Sequence, residues 1–256
     1  MLFRSALSAA ALTSLTIISF GISIDWVLLG FVFLATITGY NFVLYAGIAK
    51  WHNRSQQRNL RLILLFSLIA FLAMGWFLWL LPIRLWWWII LTALLTLFYV
   101  VPAFPGGKNL RNVSGLKIAI IATVWTIVTV LFPLAHSIAV FGETELLLLL
   151  QRFLYIMALA LPFEIRDLKS DALSLGTIPQ QIGIKNTKIF GVVLLCLVGV
   201  LEFWLQILLP NPLQWTYLIL LVTAVFLLFS HPNRSTYYTT FWVESIPVLW
   251  ITIELL

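Results

Sequence analysis

Charge is what this chain has least of. Only 9% of its 256 residues are Asp, Glu, Lys or Arg, while 62% are hydrophobic; an ordinary soluble domain carries roughly 25% charged residues. Nine acidic and fifteen basic side chains cannot clothe a fold of this length in water, whereas lipid would cover it without them. The scarcity excludes a soluble enzyme, and the apolar content excludes disorder. Cysteine is nearly absent as well. Cys196 lies inside an apolar run, which excludes a disulfide framework and reads as a packed apolar residue. His52, His136 and His231 stand without metal-ligand companions. A net charge of +6 does not call for nucleic acid, because that partner requires a basic face on a soluble surface.

What is present is long apolar runs. About 20 such residues cross a bilayer as a helix, and nine stretches qualify, near 4–22, 26–47, 60–81, 84–101, 116–135, 144–163, 188–209, 213–230 and 239–256. Pro82, Pro210, Pro212 and the string His231-Pro232-Asn233 punctuate them. Barrel strands would alternate over roughly 10 residues, so the expected fold is all-α, a single domain over 1–256. Thirteen of the fifteen Lys and Arg residues fall on one set of alternate connections. The positive-inside rule then makes those connections and the N-terminus cytoplasmic and puts the C-terminus outside. Trp26, Trp79, Trp86, Trp87, Trp88 and Trp215 mark the outer interface as an aromatic belt. Residues 1–22 also read as a signal peptide; its removal would leave the rest of the orientation unchanged.

The polar chemistry collects in the cytoplasmic connections. In the sixth, Glu164, Asp167 and Asp171 are spaced by three and four residues, which places three carboxylates on one helix face with Arg166 and Lys169 pointing elsewhere. Hard oxygen ligands in that pattern suit Mg²⁺ completed by substrate phosphates. The same pattern also reads as a solvated, charge-alternating juxtamembrane segment.

Glu164, Asp167 and Asp171, followed by Gly176-Thr177-Ile178-Pro179 and Gly183, resemble the second aspartate-rich motif of the UbiA superfamily of intramembrane prenyltransferases. The resemblance implies a nine-helix UbiA-like bundle with cytoplasmic catalytic loops. It also implies a basic loop after the fourth helix, matched here by Tyr99, Lys108 and Arg111. The family's first motif follows its second helix and shares Mg²⁺ with the second on the pyrophosphate of an isoprenoid donor. Here Asn41 is retained, but Phe42, Tyr45 and Ala49 occupy the three aspartate positions, and none is a good ligand for a hard cation. Lys50, His52, Arg54 and Arg58 stand where cations could grip phosphate in place of metal; they equally serve as topology signals.

Ionisable residues within spans are functional hypotheses. Arg152 and Glu202 fall at matching depths, about 12 Å from the outer surface at about 1.5 Å per residue, and are expected to form a structural ion pair. Glu244 reads either as a cavity-lining base or as a protonated carboxyl bonded to a neighbouring helix. Phe42, Tyr45, Tyr99, Tyr155 and Phe163 are candidates for cation–π contact with an allylic cation.

The expectation is a multi-pass membrane protein transferring an isoprenyl group from a polyprenyl pyrophosphate to a lipid-soluble acceptor. The resemblance implies Glu164, Asp167 and Asp171 as Mg²⁺ ligands, with Asn41, Tyr45, Lys50, Tyr99, Lys108 and Arg111 at the substrate. The alternatives are a non-catalytic relative that binds an isoprenoid lipid or membrane partner, and a small transporter using Arg152, Glu202 and Glu244.

Overall fold

The computed structural model describes residues 2–48, 57–102, 109–113, 115–137, 141–171 and 175–256. Among these, every regular element is helical. In chain order they are α1 (Leu2–Ser19), α2 (Trp26–Ile48), α3 (Gln57–Leu80), α4 (Trp86–Val100), α5 (Leu116–Thr126), α6 (Phe132–Ser137), α7 (Glu143–Asp167), α8 (Ile178–Leu208), α9 (Thr216–Leu228) and α10 (Ile246–Glu254). A π-helical turn, Ile127–Leu131, joins α5 to α6, so that Leu116–Ser137 runs as one apolar helix; a second, Tyr238–Val243, leads towards α10. Both turns come shortly before a proline, Pro133 or Pro247. A proline has no N–H for the carbonyl four residues earlier, and a local π adjustment accommodates the gap.

The described helices coincide with the nine apolar runs. Five are long and apolar enough to cross a membrane: Trp26–Val43, Ile83–Val100, Leu116–Ser137, Glu143–Asp167 and Ile178–Leu208. Phe3–Ser19, Leu65–Leu80 and Thr216–Leu228 are shorter apolar helices. One boundary differs from expectation: the run predicted from residue 188 is helical from Ile178.

Helix ends are set by local chemistry. Asp25 accepts hydrogen bonds from the Val27 and Leu28 amides through Oδ1, at 2.7 and 3.3 Å, and so caps α2. Glu145 Oε2 accepts from the Gly142 amide at 2.7 Å at the start of α7. The centre of the molecule is built around α1 and α7, with Leu12, Leu15, Tyr155, Ala158 and Leu161 fully buried alongside Leu194, Leu227 and Trp250. Gly191 permits the close approach of α8: a Cβ there would lie 2.3 Å from Leu227 Cδ2 and 2.7 Å from Leu161 Cδ1.

The outside is as apolar as the inside. Leu72, Trp76, Val200, Ile207, Leu221 and many similar side chains are exposed, far beyond the patch a water-soluble monomer presents. Cys196 corrects an expectation: it lies on this exposed surface rather than in the packed interior, because it faces outwards from α8 while Leu194 and Leu195 face in.

The two ends of the bundle differ in their side chains. One end gathers Asp25, whose Oδ2 is 2.9 Å from His136 Nε2, with Arg84 and exposed Trp26, Trp79, Trp87 and Trp215. The other holds Arg111, Lys117 and the acidic run 164–171.

Candidate site at the charged end of the bundle

The site begins where α7 stops. α7 ends at Asp167, whose carbonyl accepts from the Ser170 and Asp171 amides at 2.9 and 2.8 Å, so the chain turns out of the helix there. It re-enters through Gly176, with φ +51°. Gln180 Oε1 then accepts from the Thr177 amide at 2.9 Å, closing the first turn of α8, and Pro179 sits where no N–H is needed. Gly183 adopts φ 77°, ψ 164° and kinks α8. That conformation is essentially restricted to glycine. The Gly-Thr-Ile-Pro…Gly string therefore has a backbone role: it turns the chain from α7 into α8.

This turn docks on the segment before α5. Gly115 N donates to Gly176 O at 3.0 Å, Lys117 Nζ lies 2.7 Å from Asp171 Oδ2, and Gln180 Nε2 donates to the Asp171 carbonyl at 3.2 Å. Glu164 is buried and its Oε2 accepts from the Ile178 amide at 3.3 Å. Tyr99, buried at the end of α4, lies within electrostatic reach of Arg111, Glu164 and Asp171. Arg111 is half-buried and has no ion-pair partner among the described residues. The two segments that carry the sequence resemblance are thus one cluster in space.

The carboxylates do not form the expected common metal face. Asp167 is taken by its neighbour: Arg166 Nε is 2.7 Å from Oδ1 and Nη2 donates to Oδ2 at 2.9 Å. Arg166 was expected to point elsewhere, since adjacent helical residues diverge. Its long side chain folds back at the helix end, where it also donates to Thr239 Oγ1 at 2.5 Å and lies over the Phe163 ring. Asp171 is held by Lys117 and Glu164 by the start of α8. Among the described residues, no group of three His, Cys, Asp or Glu side chains converges as a metal site. Mg²⁺ is commonly held by one or two carboxylates and completed by waters and substrate phosphates; here Asp167 and Asp171 each hold a cation and Glu164 a backbone amide.

The remaining sites divide. Lys50 and Lys108, with His52 and Arg54, lie outside the described residues, as does the side chain of Tyr45. Asn41 is buried in α2 with neither amide atom hydrogen-bonded among the described residues. Glu244 is bonded to the neighbouring helix α1: its carboxylate accepts from the Ser5 hydroxyl and its backbone carbonyl from the Ser8 hydroxyl. Ser5 and Ser8 escaped sequence reasoning because a serine in an apolar run carries no spacing signal.

Arg152 and Glu202 come within electrostatic reach but form no direct ion pair. Gln151, one residue before Arg152, donates to Glu202 Oε2 at 2.5 Å, and Gln206 donates to Oε1 at 2.6 Å. Arg152 instead donates to the Leu12 carbonyl at 3.3 Å and Thr16 Oγ1 at 3.4 Å, tying α7 to α1. The neutral Gln151 amide replaces the guanidinium at the carboxylate, and the charge falls to a carbonyl and a hydroxyl.

Compared with protein-family models, with curated proteins and with solved structures, the chain matches none.

Proposed function

We propose that this chain is a membrane-embedded, UbiA-like protein that binds an isoprenoid pyrophosphate at the cytoplasmic, charged end of its bundle without a metal cage. The observation that carries the reading is the union of the two resembling segments. Lys117 against Asp171, and Tyr99 beside Arg111 and Glu164, bring the basic loop and the acidic motif into one cluster. With Asp167 and Asp171 already neutralised by Arg166 and Lys117, the half-buried Arg111, which has no ion-pair partner among the described residues, can meet an anionic head. A guanidinium binds phosphate oxygens directly and in a bidentate manner. The exposed apolar helix faces offer an isoprenyl tail the same solvent as lipid.

Prenyl transfer is the second reading, favoured by the retention of Glu164 and Asp171 within electrostatic reach of Tyr99. One assay separates the two. Purified protein in nanodiscs is incubated with labelled isoprenyl pyrophosphates of several chain lengths, in EDTA or in Mg²⁺, with a panel of lipid-soluble acceptors. The binder reading expects saturable binding in EDTA, weakened about tenfold by Arg111→Gln, the loss of roughly one charge-assisted contact, and no turnover. Mg²⁺-dependent release of pyrophosphate would establish the transferase instead. Absence of binding in either condition would sink both.

A further inference from the structure

A second basic site lies at the C-terminal end of α9, joined to the acidic run 164–171 by Lys169. The last carbonyls of a helix lack intrahelical donors and carry the negative end of its dipole. Here two cations from different elements converge on them. Lys188 Nζ, from α8, donates to Leu228 O at 2.7 Å, and Arg234 Nε donates to Phe229 O at 3.3 Å. The turn at Pro232 brings Arg234 back through its amide, which donates to His231 O at 3.0 Å. His231 Nδ1 accepts from the Asn233 amide at 3.2 Å. Lys169 reaches Asn233 Oδ1 at 2.5 Å.

The result is a hollow of about 430 Å³ lined by Lys188, His231, Asn233 and Arg234, and no carboxylate lines it. Capping α9 uses one of three Lys188 protons and one of five Arg234 protons. Neither cation has an ion-pair partner among the described residues. Both side chains line the hollow and keep full charge, with donors beyond those spent on α9; the Arg234 guanidinium also lies over the Tyr238 ring.

The apolar surroundings favour one anion. From Lys188 the exposed side chains of Ile189 and Val193 run along α8, and from Leu228 and Phe229 those of Val225 and Leu221 run along the adjoining α9. The hollow thus sits at the head of an exposed apolar track on two neighbouring helices. A water-soluble phosphate would use only the hollow; a phospholipid would use both parts, its acyl chains on the track and its phosphate between Lys188 and Arg234.

We infer that this hollow is a binding site for the phosphate head of an anionic phospholipid. The test titrates the full chain, in detergent, with phosphatidylglycerol or phosphatidylcholine and counts retained lipids by native mass spectrometry. Phosphatidylglycerol is retained at least tenfold more tightly. The double change Lys188→Gln with Arg234→Gln abolishes that preference, while Lys188→Arg with Arg234→Lys, which also controls for folding, preserves it. Arg111→Gln leaves it intact, so failure here is distinct from failure of the isoprenoid site. Equal retention of the two lipids would overturn the inference. So would loss of preference in the charge-conserving variant, or displacement by millimolar glycerol phosphate, which would assign the hollow to a soluble anion.

Discussion

Lys117 and Asp171, 54 residues apart, meet at 2.7 Å with both side chains almost wholly enclosed. The pair fastens the start of α5 to the turn between α7 and α8, and it takes up a carboxylate that sequence spacing alone offers to a metal. Because each partner is shielded from water, losing one leaves the other uncompensated. Lys117→Met and Asp171→Asn are each expected to destabilise by about 1–3 kcal/mol, seen as a lower midpoint of thermal unfolding in detergent. The double variant should lose less than the sum of the two. Strict additivity would show that the contact carries no coupling.

Gly191 is fixed by its neighbours. A methyl group there would collide with Leu227 and Leu161, so Gly191→Ala is expected to cost about 1–3 kcal/mol through overpacking. Leu227→Ala in the same chain should restore part of that loss by making room. Gly199, whose added Cβ would meet Leu220 and Tyr217 only at 3.7 and 3.8 Å, supplies the control: Gly199→Ala should be neutral or slightly stabilising.

At Gly183 the constraint is the backbone, not space, since an added Cβ would meet nothing within 4 Å. Gly183→Ala forces a side chain onto φ 77°, ψ 164°, a strain of about 1–3 kcal/mol. The expected signature is a lower unfolding midpoint that no cavity-making partner change relieves. An unchanged midpoint would show that the kink is not required.

Cys196 gives a direct test of what surrounds the bundle. It is the chain's single cysteine, exposed part-way along α8. A spin label attached there and reconstituted into vesicles should be relaxed strongly by dissolved oxygen and weakly by a water-soluble nickel chelate. The reverse ranking would place this face in water and remove the membrane reading.

Much of the fold was legible because lipid and protein interior make the same demand on a span. An unbroken apolar run such as 116–135 has one backbone solution, a helix that satisfies its own hydrogen bonds. Prolines marked where several of the runs end. The same uniformity hid which face of a run is inside, which is why Cys196 was expected in the core. The candidate site was half legible. The 3 and 4 spacing named Glu164, Asp167 and Asp171. No spacing rule reveals that Arg166 folds back onto Asp167, or that Gln151 reaches Glu202 where Arg152 was expected, because long flexible side chains are placed by their surroundings.

The scarcity of charge, the helical runs and the segregation of cations to alternate connections are properties of the sequence alone, fixed by the cost of taking charge and unpaired backbone out of water. Which charges meet was decided only by the tertiary structure. Contacts such as Lys117 to Asp171 and Lys188 to the end of α9 join elements far apart in the chain, and only packing sets those distances. That is the step that turned three apparent metal ligands into a set of separately held carboxylates, with Arg111 beside them free of an ion-pair partner among the described residues.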